Sequence, residues 1–170
     1  SILTMITIRK SDDRGIANFG WLYSRHTFSF GHYYDPRHTG FGPLLVINDD
    51  VIAAGQGFGM HPHRYMEIIT VMVEGVLGHR DSMGNHGFLE PGDTQWMTAG
   101  SGVLHKEGPS EAAQRSGGRV HGLQLWVNLP AAEKMRSPSA VRMPTRSSGS
   151  SRSRANALPM SRLMAWSMAL

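Results

Sequence analysis

Residues 55–67 read Gly55-Gln56-Gly57-Phe58-Gly59-Met60-His61-Pro62-His63-Arg64-Tyr65-Met66-Glu67, and the spacing within this stretch decides what kind of fold can hold it. His61 and His63 stand two apart at the mouth of a strand, so a β backbone sends both side chains to one face, where they can share a ligand. Further along, His105-Lys106-Glu107 repeats the arrangement. Two such dyads meeting inside one barrel make a three-histidine, one-carboxylate metal site of His61, His63, His105 and Glu107. Imidazole and carboxylate together suit iron, copper, nickel, cobalt, manganese or zinc, and such a site keeps positions open for water or substrate. A lone HxH pair also arises by chance among surface or hydrogen-bonded histidines. Two i,i+2 dyads on strands, the first framed by glycines, favour the metal, because a barrel interior needs polar side chains only where something polar is bound.

Outward from these dyads, 19 of the 20 glycines fall in residues 1–135 and punctuate short runs rich in Val, Ile, Leu, Thr and aromatics, the pattern of an all-β sandwich or small barrel. The runs predict strands at Met5–Arg9, Thr27–Phe30, Leu44–Asn48, Val51–Ala54, Glu67–Val73, Val76–Asp81, Thr94–Thr98, Val103–Glu107 and Gly122–Leu129. Turns are expected at Asn48-Asp49-Asp50, Glu74-Gly75, Met83-Gly84-Asn85 and Pro91-Gly92-Asp93.

The chain has 170 residues, 40% of them hydrophobic and 18% charged, which fits one domain or one domain with an appendage. No stretch approaches the roughly 18–20 uninterrupted apolar residues of a membrane span, and the opening residues lack a secretory layout. The expectation is a soluble cytoplasmic protein with no membrane partner. Without cysteine there is no disulfide, thiolate site or cysteine nucleophile. The net charge of +4 hides two parts: residues 1–135 carry −2, and residues 136–170 carry six Arg and no acid. A nucleic-acid footprint should be a basic stripe on a folded face, and the body offers none. The Arg/Ser-rich residues 136–170 predict an irregular, poorly ordered tail. Their abrupt change of vocabulary suggests a frame shift or vector-derived read-through, a reading that extends to Ser1–Thr4. A natural RNA-binding arm and a docking helix at Leu158–Leu170 are the alternatives.

The approach Gly55-x5-His61-x-His63-x3-Glu67 resembles the first motif of the cupin superfamily, and the longer text resembles the pirin family, especially its bacterial quercetin 2,3-dioxygenase-like members. The resemblance rests on Arg14-Gly15, His26-Thr27-Phe28-Ser29-Phe30, Tyr33-Tyr34-Asp35-Pro36, Val46-Ile47-Asn48-Asp49-Asp50, Gly57–His63 and Met66-Glu67. It continues through Asp81–Asn85, Pro91-Gly92-Asp93, Gln95–Gly100, Gly102, His105 with Glu107, and Leu123–Pro130. It implies a cupin-type double-stranded β-helix, or jelly-roll barrel, over residues 5–135, and the same ligands His61, His63, His105 and Glu107. The implied cofactor is one divalent transition metal, Fe2+ before Cu, Ni, Co, Mn or Zn. The implied reaction is opening of a flavonol ring by O2 with loss of carbon monoxide, a small aromatic substrate being bound through its 3-hydroxyl and Glu107 accepting the proton as general base.

Two departures matter. No ligand follows the Pro91 turn before His105, so Glu67, a metal ligand in many cupins, is expected to serve structure or support the ligands. Pirins also carry a second barrel, and here the Arg/Ser tail begins instead at Arg136. The expectation is that the second barrel is absent and that its apolar docking face favours self-association, poor solubility or tail docking.

Two further readings come from other classes: a metal-binding pirin-like regulator that binds a transcription or metabolic protein without turnover, and a metal-dependent hydrolase of a small ester or lactone. An enclosed apolar pocket beside the metal favours an enzyme; a shallow site with a charged rim favours the regulator. Phe28, Phe30, Phe58 and Met60 are expected at the entrance, and Trp96 and Trp126 in the core. His26, His32, His38, His79, His86 and His121 are expected as loop or hydrogen-bonded residues. Gly55–Gly59 leads into HPH rather than a helix, which disfavours a nucleotide loop, and Ser101 lacks the spacing of a nucleophile elbow.

Overall fold

The computed structural model describes residues 6–109 and 118–143. Strands dominate: β1 (Gly15–Asn18), β2 (Leu22–His26), β3 (Leu44–Ile52), β4 (Phe58–His63), β5 (Met66–Glu74), β6 (Leu77–Asp81), β7 (His86–Leu89), β8 (Thr94–Thr98), β9 (Val103–Pro109), β10 (Val120–Asn128) and β11 (Ser139–Met143). They form a seven-stranded sheet in the order β1-β2-β3-β10-β5-β8-β11 and a four-stranded sheet in the order β4-β9-β6-β7, all paired antiparallel. This is the jelly-roll barrel expected from the sequence. Among the described residues no helix is long and apolar enough to cross a membrane.

Alternation assigns the inner faces. Along β9, Val103, His105 and Glu107 are buried while Leu104 and Lys106 are exposed; along β6 it is Leu77, His79 and Asp81, and along β2 Leu22, Ser24 and His26. Register lines the inward residues of the larger sheet into rows. Leu22, Ile52 and Val120 form an apolar row, and Val46, Trp126, Ile68 and Met97 a second. Between them runs a polar row of His26, Asn48, Gln124, Thr70 and Gln95. The apolar rows anchor two core clusters, Leu22, Ile52, Met72, Leu77, Leu89 and Val120 in one, and Ile68, Met97, Ala99 and Val103 in the other.

Several expected elements differ. Residues 6–10 are not a strand, and Thr27–Phe30 is irregular apart from a bridge between Phe30 and Tyr33. The turn expected at Asn48-Asp49-Asp50 lies in the middle of β3, because tertiary partners satisfy these side chains: Asn48 Oδ1 lies 2.8 Å from His26 Nδ1 and Asp49 Oδ1 2.7 Å from His121 Nε2. The strands β1, β2 and β7 were not anticipated. Within the span read as an irregular tail, Ser139–Met143 pair with β8 from Ser139↔Thr98 to Met143↔Thr94. Arg142 anchors this strand by donating Nε and Nη2 to Asp93 Oδ2 at 2.9 and 2.6 Å. Residues 144–170, among them the docking helix proposed at Leu158–Leu170, lie outside the described residues, as do residues 1–5.

Where the chain enters β4, a Cβ on Gly57 would stand 2.5 Å from the Glu107 carbonyl oxygen and 2.6 Å from Gly108 Cα. Both are backbone atoms that cannot swing away, so glycine is what allows β4 to approach β9 beside Glu107. A Cβ on Gly59 meets nothing within 4 Å. Gly57→Ala is therefore expected to lower stability by about 1–3 kcal/mol in denaturant titration, while Gly59→Ala leaves the midpoint unchanged; equal behaviour of the two would contradict the close approach.

Candidate metal centre

Antiparallel pairing of β4 with β9 places His61 directly opposite His105 and His63 opposite Val103. The three rings then form a nearly equilateral triangle, with centroids 4.4 Å apart for His61 and His105 and 4.8 Å for each of the other two pairs. A register shift between Phe58 and His61 lets both side chains face inward although they are three residues apart. The outward position falls to Met60, which is 55% exposed.

The donor atoms are prepared for a ligand. One ring nitrogen from each of His61, His63 and His105 lies within 4.8 Å of the others. Nε2 of His63 and Nε2 of His105 are buried without a hydrogen-bond partner, a cost a fold sustains where something else binds those atoms. Burial lowers His63 to about 4, aided by His61, and lowers His105 to about 3, aided by its histidine neighbours. Both rings are therefore neutral near pH 7, the form that donates a lone pair. His61 Nδ1 lies 2.7 Å from the Gly59 carbonyl oxygen, so Nδ1 donates and Nε2 keeps its lone pair. Two neutral imidazoles with buried, unpartnered Nε2 atoms, and His61 completing the triangle beside them, fit a divalent transition metal.

Glu107 is 3% exposed and follows His105 by two on β9. Burial pushes its carboxyl up, against the hydrogen bond from Gln124 and the nearby histidines. Gln124 Nε2 donates to Glu107 Oε2 at 3.0 Å, and Gln124 Oε1 accepts from Trp126 Nε1 at 3.0 Å. Because the indole N–H can only donate, it fixes which end of the Gln124 amide meets the carboxylate. Thr70 Oγ1 donates a weaker bond to Oε1 at 3.4 Å. At the same distance limit Glu107 groups with His79 and His105, sharing His105 with the triangle but not joining His61 and His63.

A cavity of about 560 Å³ opens beside the histidines, lined by His61, His63 and Glu107. Its apolar wall includes Leu22, Phe30, Phe58 and Trp126, and its polar wall Ser24, His26, Asn48, Asp50 and Gln124. Trp126 stands edge-on to His63 at 4.9 Å and to Phe30 at 5.3 Å. Asp50 is pushed up to about 6, chiefly by burial and further by the charge of Glu107.

Of the four entrance residues anticipated, Phe30 and Phe58 line the cavity. Phe28 and Met60 do not, Phe28 because the chain has left the β2 alternation at His26, Met60 because the bulge turns it outward. Trp126 belongs to the cavity wall as well as to the core. Glu67 lies on the outer face of the larger sheet, where its Oε2 accepts from Trp96 Nε1 and Thr98 Oγ1, both at 2.7 Å, so its role is structural. The sequence gives no site role to Asp81, Thr70 or Gln124, and His79, expected as a loop or hydrogen-bonded residue, is hydrogen-bonded within the site. His79-Arg80-Asp81 is a third i,i+2 dyad of the same form as the two recognised ones, and Gln124 is the polar residue at an inward position of an apolar strand.

Residues 8–127 match the family model described as Pirin. The chain is 54% identical over 123 residues to quercetin 2,3-dioxygenase of Escherichia coli (strain K12), covering 72% of this chain and 52% of that protein; it spans about half the length of the curated relatives it matches. The crystal structure of YhhW from Escherichia coli superposes with a TM-score of 0.77 at 47% identity, covering 85% of this chain and 59% of that one. The structure of bacterial pirin YhhW in complex with nickel(II) superposes with a TM-score of 0.73 at 48% identity, covering 82% and 58%. The likeness follows the same barrel strands that carry the histidine triangle, and this chain belongs to the pirin family.

Proposed function

We propose that this chain is the metal-binding barrel of a dioxygenase that opens a flavonol ring with O2, using His61, His63, His105 and Glu107 as ligands. The observation that carries the reading is the apolar-walled cavity beside the histidine triangle, in which Nε2 of His63 and Nε2 of His105 are buried without a partner. The naming of a homologue as quercetin 2,3-dioxygenase supports the substrate class. A divalent transition metal, Fe2+ before the other candidates, would supply Lewis-acid polarisation of the 3-hydroxyl and a redox route to O2.

The protein's own groups do the rest. Phe30, Phe58 and Trp126 offer aromatic surface to a planar ring system, and the wall keeps competing water from the reacting carbons. Glu107, desolvated and thus a stronger base than an exposed carboxylate, takes the 3-hydroxyl proton. Gln124 holds the carboxylate in place and stabilises the anion it starts from. Ser24, Asn48 and Asp50 stand on the opposite wall as hydrogen-bonding partners for the remaining substrate hydroxyls. The apolar wall of this cavity favours the enzyme over the non-catalytic regulator.

Protein loaded separately with iron, copper, nickel, cobalt and manganese is expected to bleach quercetin in air and not under nitrogen; no bleaching with metal demonstrably bound would overturn the reading. Glu107→Ala is expected to keep part of its metal and lose about 10²-fold or more in kcat, whereas His61→Ala loses metal and turnover together. Unimpaired turnover by the Glu107 variant would remove its role as base.

The buried histidines also set an acid limit. Their folded pKa values lie below the ordinary 6.5, so below pH 6.5 the unfolded chain binds more protons and stability falls with pH. The metal-free protein is expected to lose stability from about pH 6.5 down through about 4 for His63 and about 3 for His105. Stabilisation by added metal is expected to shrink over the same range, since protons compete for the same nitrogens. Denaturant midpoints measured between pH 7.5 and 4.5, with and without nickel, check both; a flat metal-free profile would contradict the burial of these rings.

A further inference from the structure

We propose that Asp81 and His79 form a directed hydrogen-bond relay that fixes the tautomer of His105 and presents its Nε2 lone pair to the metal position. The inference rests on the reading of His105 as a ligand and adds two positioning residues to it. On the inner face of β6, His79 is the cross-strand partner of Glu107, and Asp81 that of His105. His79 is therefore diagonal to His105, with the two Nδ1 atoms 3.4 Å apart. On its other side His79 Nε2 lies 3.1 Å from Asp81 Oδ2. The side chains of His79 and Asp81 are 3% and 0% exposed, and His105 is 0% exposed. Water has no access to substitute for either bond.

The direction of the relay is set at Asp81. Its Oδ1 accepts the main-chain N–H of Met83 and of Asn85 at 2.9 and 3.0 Å, and its Oδ2 accepts the Asn85 side-chain amide at 2.9 Å. A carboxylate surrounded by donors acts only as acceptor, so His79 must bring a proton on Nε2. A neutral imidazole protonated there has its lone pair on Nδ1, which can only accept from His105. His105 must in turn carry its proton on Nδ1, leaving Nε2 with a lone pair. That Nε2 is one of the two buried, unpartnered ring nitrogens of the cluster. The opposite tautomer would turn an N–H toward His61 and His63 and block metal entry. The turn Asp81–Asn85, outside the triangle, thereby determines the chemistry at its apex, a task in which other metal proteins engage a carboxylate or carbonyl directly.

The relay can be read without turnover. In isotopically labelled full-length chain loaded with diamagnetic Zn2+, long-range 1H–15N correlations of the rings are expected to show His105 protonated at Nδ1 and His79 at Nε2. The opposite tautomer at either ring would overturn the relay. Chelator competition is expected to show Zn2+ and Ni2+ bound about 10–100-fold more weakly by His79→Leu. His79→Gln, whose amide can accept from His105 and donate to Asp81, is expected to recover most of the loss. Unchanged affinity in the Leu variant, or no recovery in the Gln variant, would overturn the proposal. Should the Leu variant fail to fold, the tautomers of the unsubstituted protein decide the matter alone. A chain with the expected tautomers and affinities that leaves quercetin intact would sink the dioxygenase reading only. Failure of the unsubstituted chain to bind Zn2+ would overturn the metal reading and the relay with it.

Discussion

The pairing of His61 with His105 across β4 and β9 is the contact on which the rest of the barrel depends. Side chains alternate along a strand, so a slip of one residue would turn His105 and Glu107 to solvent and bring Leu104 and Lys106 inside. The register is held where it costs least to specify it. A bulge reconciles Phe58 with the histidines, and a glycine permits the strands to close beside Glu107. Among the described residues fourteen polar or charged side chains are buried beside twelve hydrophobic ones, a composition that a fold sustains only when the polar groups are matched one to another or to a ligand.

Most of that matching is visible. The polar row of the larger sheet faces the histidine sheet and holds Glu107 through Gln124, while the rows on either side supply the apolar packing. Among the described residues four buried side-chain atoms lack a partner, Arg14 Nε, Thr27 Oγ1 and the Nε2 atoms of His63 and His105, and the last two lie in the same triangle. Stability and chemistry are thus set against each other at one place. Without a metal, the barrel carries two neutral rings with idle lone pairs; with one, the same atoms contribute binding energy that belongs to the folded state alone.

The site was legible in the sequence to the extent that it obeys strand periodicity. His61, His63, His105 and Glu107 follow from two dyads whose spacing matches the pleat. The jelly roll follows from apolar runs broken by glycine and proline. What escaped had a different physical origin. Asn48-Asp49-Asp50 has the composition of a turn, yet His26 and His121 meet its side chains from neighbouring strands and keep it extended. Glu67, by contrast, has the structural role expected of it, on the outer face of the sheet in register with Thr98. Phe28 and Met60 failed because a bulge and an irregular segment break the alternation that placed them. Gln124 and His79 meet their partners from strands far apart in the chain, so their local signals, a polar residue at an inward position and a third i,i+2 dyad, do not name those partners.

The pairing of β11 with β8 has a meaning of its own. Ser139–Met143 is held by main-chain hydrogen bonding, by the packing of Ala140 against the Ile68, Met97, Ala99 and Val103 cluster, and by one arginine on Asp93. The β8 border thus acts as a docking edge that asks of an incoming segment an extended backbone and one small apolar side chain facing the core, a far looser demand than the histidine sheet makes of its own residues.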